Sequence, residues 1–192
     1  MSLLRGELLQ GRAVALAPGV PKEVAVALSG LGARVELLEE SGELAQSDDE
    51  LVGQWARAHG PLHALVYDAG PSFAGAGPQG LAQALERTWA AVREVAVGAL
   101  IEGQEPGKII LLGPRPDAGP HAEAARAALE NLSRTLSVEW ARYDVTAVTV
   151  APGPRSSDRH LADLVCFLCS EGGAYLSGCR LDVGGVMSGG DR

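Results

Sequence analysis

The sequence has few cysteines and no long apolar run, and each shortage excludes a class of protein. Its three cysteines, at 166, 169 and 179, are an odd number without regular spacing, which argues against a disulfide framework. We therefore expect a chain of the reducing cytoplasm. No segment approaches the roughly 18 consecutive apolar residues that span a bilayer. The N-terminal stretch MSLLRGELLQGR is too short and too charged for a secretory signal, so no membrane contact is expected.

Basic clusters are missing as well. Lysine and arginine number 16 against 24 aspartates and glutamates, a formal net charge of -8, so nucleic-acid binding is not expected. Apolar residues, in contrast, make up 46% of the chain, which suits a packed core rather than disorder. With 192 residues and neither repeats nor a linker, the sequence predicts a single domain over residues 1–192.

Short apolar runs alternate with stretches of helical period along the whole chain. Strands are predicted at 12–17, 33–39, 62–70, 107–113, 144–153 and 179–185, and helices at 21–32, 47–60, 80–103, 119–142 and 157–173. Ser47 and Glu50 form a capping-box pattern, and the Gly-rich stretch 70–80 is predicted as a flexible connection. Since most strands are apolar on both faces, we predict an α/β, doubly wound (Rossmann-type), mostly parallel sheet of six to seven strands with helices on both faces.

The two long helices, 80–103 and 119–142, carry apolar residues on more than one face. In the first, Trp89, Ala96 and Leu100 form a second stripe beside the main one, and in the second, alanines keep the additional face small. A helix of this kind is buried on more than one side, either by its own chain or by another subunit. We favour a homo- or hetero-oligomer assembled through these helices, because large apolar patches seldom stay exposed.

Segments in consecutive order resemble the short-chain dehydrogenase/reductase family, close to its ketoacyl reductase branch, over nearly the whole chain. GRAVALAPG resembles the first strand and cofactor loop, and HGPLHALVYDAG the fourth strand with its Asn-Asn-Ala-Gly turn. GKIILLGP resembles the strand that ends in the catalytic serine, and ARAALENLSRTLSVEWARYDVTAVTVAPGP the catalytic helix, the next strand and its Pro-Gly turn. The resemblance implies a Rossmann-type fold, NAD(P)-dependent reduction and dimers through the two long helices.

The same resemblance implies that the catalytic positions have changed. The family's tyrosine exchanges a proton with the substrate, and a lysine four residues later, on the same helical face, lowers its pKa. RAAL at 126–129 stands where the family has Lys-Ala-Ala-Leu, which puts Arg126 at the lysine and Ala122 at the tyrosine. Pro114 stands at the serine and Glu86 near the asparagine, and neither alanine nor proline has a side-chain donor. His121, next to the vacated tyrosine position, is interpreted as a solvated loop residue.

The cofactor loops implied by the resemblance have changed too. Their positions here are Ala17, Pro18, Gly19, Asp68, Ala69 and Gly70. Pro18 and Pro21 offer no N–H group to a pyrophosphate, and Asp68 brings negative charge towards its phosphates. Glu39 is interpreted as an exposed strand-end residue rather than a ribose ligand. We expect no cofactor.

Other candidates favour a structural interpretation. Cys166 and Cys169 lie in an apolar helix and are interpreted as core residues, so no metal is expected. Arg115 and Asp117 are interpreted as solvated loop charges. The segment 151–164 leads almost directly into the closing helix, without the family's substrate lid.

These observations favour a non-catalytic member of the family with a structural or regulatory role, assembled with itself or with an active homologue. The alternative is an NAD(P)-dependent reductase with rearranged residues. Arg126 would then replace the lysine, and the acid would come from His121 or a partner chain. A small-molecule sensor is a third class, without positive support in the sequence.

Overall fold

The computed structural model describes residues 6–38, 49–103 and 105–184, which contain one six-stranded sheet. Its strands are β1 Ala13–Leu16, β2 Arg34–Leu37, β3 Ala64–Asp68, β4 Gly107–Leu112, β5 Val145–Pro152 and β6 Cys179–Val183. They lie in the order β2-β1-β3-β4-β5-β6, and every neighbouring pair is parallel. The predicted doubly wound α/β fold is confirmed.

Helices cover both faces of the sheet. They are α1 Lys22–Gly30, α2 Asp49–His59, α3 Gly70–Phe73, α4 Pro78–Val95, α5 Ala122–Glu139 and α6 Asp158–Cys169. Helix α4 continues as a π-helical turn, Ala96–Ile101, and short 3₁₀ turns occupy Ala141–Tyr143 and Glu171–Gly173. Helices α2, α4 and α5 cover one face, and α1 and α6 the other. None of the helices in these ranges is long and apolar enough to cross a bilayer.

The central strands are apolar on both faces because both faces are covered. All side chains of β1 and β4 are buried. Along β4, Ile109 and Leu111 pack towards the α2/α4/α5 layer, whereas Ile110 and Leu112 pack towards the α1/α6 layer. Each buried aliphatic side chain of this size contributes roughly 1.5–3 kcal/mol, so these strands anchor the molecule.

Two helix ends differ from the prediction. The helix predicted from residue 80 begins at Pro78, where proline suits the first turn because its missing N–H has no partner to lose. The helix predicted at 119–142 begins at Ala122, since Gly119 has a φ of +150° and Pro120 follows it. At the start of α6, Ser157 and His160 form a reciprocal capping box.

The stretch 70–80 is not the predicted flexible connection throughout. Gly70–Phe73 forms the helical turn α3, and the Phe73 side chain is buried against the core. A single aromatic side chain in a Gly-rich stretch was therefore enough to anchor it. Ser47 and Glu39, to which roles were assigned above, lie outside the described residues.

The chain itself covers much of the second apolar stripe on α4. Ala96 and Leu100 are fully buried, and Trp89 stacks on Trp140 with ring centroids 5.8 Å apart. The outer face of α5 is different, because the side chain of Val138 is 74% exposed and Ala124 and Ala127 are exposed as well. On the two long helices, the exposed apolar residues therefore include Val97 after α4 and Ala124, Ala127 and Val138 on α5.

Candidate functional site

The carboxyl ends of β1 and β3 flank the point where the strand order reverses, the usual place for a ligand in such a sheet. Here the two following turns approach each other closely. Gly19 has a φ of +89°, and a Cβ atom placed on it would lie 3.1 Å from Cγ of Pro71 and 3.6 Å from Oδ2 of Asp68. Oδ1 of Asp68 in turn accepts a hydrogen bond of 2.9 Å from the Gly70 N–H. Side chains of the turn after β3 therefore lie where a ligand would approach the backbone of the turn after β1.

Asp68 is the carboxylate at this reversal. Burial raises its pKa to about 6, the Gly70 N–H and the charge of Arg115 oppose that rise, and the Asp158 carboxylate adds to it. The structure thus places a poorly solvated acid where the resemblance implies a cofactor loop. A phosphate group there would meet negative charge whenever Asp68 is ionised.

Arg126 is buried, with 4% of its surface exposed, and its guanidinium is engaged by three groups. Nε donates to the carbonyl oxygen of Pro114 at 2.8 Å, Nη2 donates to that of Pro152, and Nη1 pairs with the Glu123 carboxylate at 2.9 Å. The arginine thus ties the carboxyl ends of β4 and β5 to the first turn of α5. Charge-assisted bonds to buried carbonyls are strong, so this side chain is held in place.

Three of the four positions that the resemblance implies to be vacated come together. Ala122 and Arg126 lie one turn apart on the buried face of α5, and Pro114 is buried beneath them. Glu86 does not join them: its side chain is exposed, whereas the buried side of α4 carries Ala84, Thr88, Val92 and Val95. His121 is the N-cap residue of α5 but makes no side-chain cap bond.

Arg115 is not the solvated loop charge that the sequence suggested. Its Nη1 donates to the Ser156 carbonyl at 2.9 Å, and Nη2 pairs with Asp158 at 3.0 Å. The side chain therefore fastens the β4–α5 connection to the β5–α6 connection. The cause is the short segment after β5, which passes beneath the arginine before α6 begins.

Two groups of polar side chains were missed by the sequence analysis. Burial raises the pKa of the Tyr67 phenol and the nearby Thr88 hydroxyl opposes the rise, while Oγ1 of Thr88 donates to the Ala84 carbonyl at 2.9 Å. In the same layer, Oγ1 of Thr149 donates to the Leu129 carbonyl at 2.9 Å and contacts the Ser133 hydroxyl at 3.2 Å. The sequence pattern that could have indicated such contacts is a hydroxyl residue within an otherwise apolar helix stripe, as at Thr88 between Leu85 and Val92.

No protein-family model and no curated protein matches the sequence. Solved structures do match the fold. A citronellol catabolism dehydrogenase of Pseudomonas aeruginosa PAO1 is similar with a TM-score of 0.75 and 24% identity, over 96% of this chain and 98% of that one. A hydroxysteroid dehydrogenase from Escherichia coli matches with a TM-score of 0.73 and 18% identity, over 93% and 98% of the two chains.

An enoyl-[acyl-carrier-protein] reductase (NADH) from Aquifex aeolicus VF5 gives a TM-score of 0.72 at 17% identity, over 91% of this chain and 95% of that one. At these identities the likeness shows the fold alone, a Rossmann-like α/β sheet that this chain shares with these dehydrogenases and reductases.

Proposed function

We propose that this chain is a non-catalytic subunit with the fold of short-chain dehydrogenases and reductases, and that its role is structural or regulatory. One observation carries the proposal. Arg126 is buried, and its bonds run to the strand-end carbonyls of Pro114 and Pro152 and to Glu123. A cation used in this way is unsuited to positioning a ribose or activating a proton donor.

The neighbouring positions support the same proposal. Ala122 and Pro114 have no side-chain donor, so neither replaces a catalytic hydroxyl. At the strand-order reversal, the contacts of Gly19 with Pro71 and Asp68 leave little room for a pyrophosphate. The proposal therefore includes the absence of a bound NAD(P).

Assembly is the second part of the proposal. The outer face of α5 exposes Ala124, Ala127 and Val138, which a second subunit would bury. The partner is another copy of this chain or an active homologue, which would use its own long helices in the same way. The chain would then stabilise the complex without turning over substrate.

Titration with NADH and with NADPH tests the proposal directly. We expect no saturable heat by calorimetry up to about 1 mM cofactor, which corresponds to a binding free energy weaker than about -4 kcal/mol. The titration is repeated with Asp68→Asn, which removes the charge but keeps the acceptor for the Gly70 N–H. Micromolar binding by the native chain would favour the rearranged reductase, and binding by the variant alone would show that the turns leave room for a cofactor.

A further inference from the structure

Lys108 lies near the amino end of β4, a central strand, and therefore at the opposite end of the strands from the site above. Its side chain is buried, with 5% of the residue exposed. Nζ donates two hydrogen bonds of 2.7 Å, to the carbonyl oxygens of Gly173 and Leu176. Across residues 6–38, 49–103 and 105–184, none of the ion pairs involves this lysine. A buried ammonium held only by backbone carbonyls is unusual, because burial of a charge is costly without a counter-charge.

The two acceptors belong to the connection between α6 and β6, residues 170–178, which we call the α6–β6 segment. It is attached to the sheet at its far end, where the Gly178 N–H donates to the Ala147 carbonyl at 2.7 Å. Lys108 attaches its middle. Tyr175, between the two acceptors in sequence, is 91% exposed. The segment is therefore a surface connection, and both bonds that tie its middle to β4 are made by one amine.

Protonation changes how well the hydrogen-bond donors and the charge of the Lys108 amine are satisfied in the closed segment. A neutral amine has two N–H groups, which match the two carbonyl acceptors. An ammonium has a third N–H group and a charge, and both are satisfied better by water than by this interior. Local opening of the segment would admit water to the charged form, whereas the neutral form gains less from it.

We propose that Lys108 makes the local opening of the α6–β6 segment depend on pH: the segment opens more often when the amine is charged and less often when it is neutral. This is a conformational device separate from the strand-end site and independent of the function proposed above.

The electrostatics agree with this geometry. Burial lowers the pKa of Lys108 to about 8, and the negative charge of Cys169 on α6 or Cys179 on β6, where either thiol is ionised, opposes the shift. In the open segment the amine would return towards its ordinary value of about 10.4. At a pH between these two pKa values, opening of the segment is therefore coupled to the uptake of a proton by Lys108. The opening equilibrium therefore falls as pH rises from 8 towards 10, and it is nearly constant below 8.

Other ionisable groups nearby do not produce the same profile. Burial raises the pKa of Cys169 to about 12, and Arg12 faces this thiol. His63 lies beside Lys108 across the β3–β4 ladder, and burial and Arg12 lower its pKa while Glu105 opposes them, so its transition lies below the range in question. Cys179 is the remaining group that faces the amine, and a Cys179→Ala variant controls for it.

The native chain provides the first test, because lysine occurs only at positions 22 and 108. With ¹³C-labelled lysine, an NMR titration gives two side-chain signals, and the exposed Lys22 serves as the internal reference. We expect the Lys108 signal to titrate at least one pH unit below that of Lys22. Titration of both signals together would overturn the proposal.

Hydrogen exchange provides the second test. The amides of the α6–β6 segment are compared in the native chain and in Lys108→Met. At any given pH, the two chains have the same intrinsic exchange rates in this segment, because the substitution lies outside it. Between pH 7 and 9.5 the ratio of native to variant opening is expected to fall about tenfold or more, with or without Cys179→Ala. A ratio that stays constant, or a fall that disappears with Cys179→Ala, would overturn the assignment to Lys108. If Lys108→Met does not fold, the NMR titration decides alone.

Discussion

At the residue scale, Arg126 is held by two backbone carbonyls and by the Glu123 carboxylate. The residues that flank it in the sequence place it, with Ala122 and Pro114, among the positions that the resemblance implies to be vacated, and that assignment stays a prediction. The partners of Arg126 were not predictable, because two of them are backbone carbonyls at the ends of different strands, Pro114 and Pro152. The same reason explains the error at Arg115, whose partners lie after β5. A sequence shows the charge of a side chain but not the backbone atoms that the fold brings to it.

Replacing Arg126 is expected to cost stability. Arg126→Met leaves two strand-end carbonyls without their donor and should lower the free energy of unfolding by about 2–3 kcal/mol. Arg126→Lys keeps the charge and should cost about 1–2 kcal/mol, because an ammonium cannot reproduce the planar fork. Urea unfolding measures both. The control is Arg134→Ala, which breaks an exposed pair with Glu130 and should cost about 0.5 kcal/mol or less. Equal losses in Arg126→Met and this control would contradict the account.

Asp68→Asn is expected to stabilise the chain at neutral pH. Folding raises the pKa of Asp68 from 3.8 to about 6. Between these two pH values the folded chain keeps a proton on Asp68 that the unfolded chain has released. The native chain therefore loses stability as pH rises from about 4 through 6, and the variant lacks this loss. Urea unfolding should show a gain at pH 7.5 that is about 2–3 kcal/mol larger than the gain near pH 4. Asp117→Asn, in an exposed turn, is the control and should change neither value. A gain that is the same at both pH values would refute this explanation.

At the scale of helices and strands, periodicity predicted each strand and every helix longer than one turn, because burial imposes a pattern that the sequence must carry. It did not predict α3, whose four residues are too few for a period, nor the π-helical turn after α4. That turn depends on a contact with another helix. A Cβ atom on Gly98 would lie 3.1 Å from both Cβ of Ala56 and the carbonyl oxygen of Gly53, so α2 packs directly on its backbone.

Two glycine substitutions are expected to have opposite effects. Gly98→Ala adds a methyl group where there is no space and should lower the free energy of unfolding by about 1–3 kcal/mol. Gly30→Ala, at the end of α1, meets nothing within 4 Å and should raise it by about 0.5–1 kcal/mol. Chemical denaturation measures both variants. If Gly98→Ala is as stable as the native chain, α2 and the π-helical turn are not packed as described.

At the scale of the whole molecule, the sheet followed from its apolar strands and the two helical layers from the helices between them. Assembly was predicted from the apolar faces of the two long helices, and the chain itself buries part of these faces. Ala96 and Leu100 are buried internally, whereas Ala124, Ala127 and Val138 on α5 stay exposed. Sequence periodicity reports that a face is covered but not which chain covers it.

Charging the outer face of α5 is expected to disrupt assembly. If the chain associates with itself there, Val138→Glu should shift the particle measured by sedimentation velocity from a dimer or larger species to a monomer, without loss of thermal stability. Val26→Glu is the matched control, because Val26 is 72% exposed on α1 in the other layer. An oligomer that survives Val138→Glu would exclude this face. A native monomer would leave an active homologue as the partner to be tested in co-expression.

The strand order β2-β1-β3-β4-β5-β6 also bears on how the chain is synthesised. After β3, each new strand joins the edge left by the strand before it, in the order in which the ribosome releases them. The first three strands can therefore assemble before β4 emerges, and each later crossover extends a sheet that already exists. Arg126 joins the structure late, since its bond to Pro152 requires the end of β5. Nascent chains that end before Pro152 would thus carry an Arg126 side chain that does not yet tie the end of β4 to the end of β5.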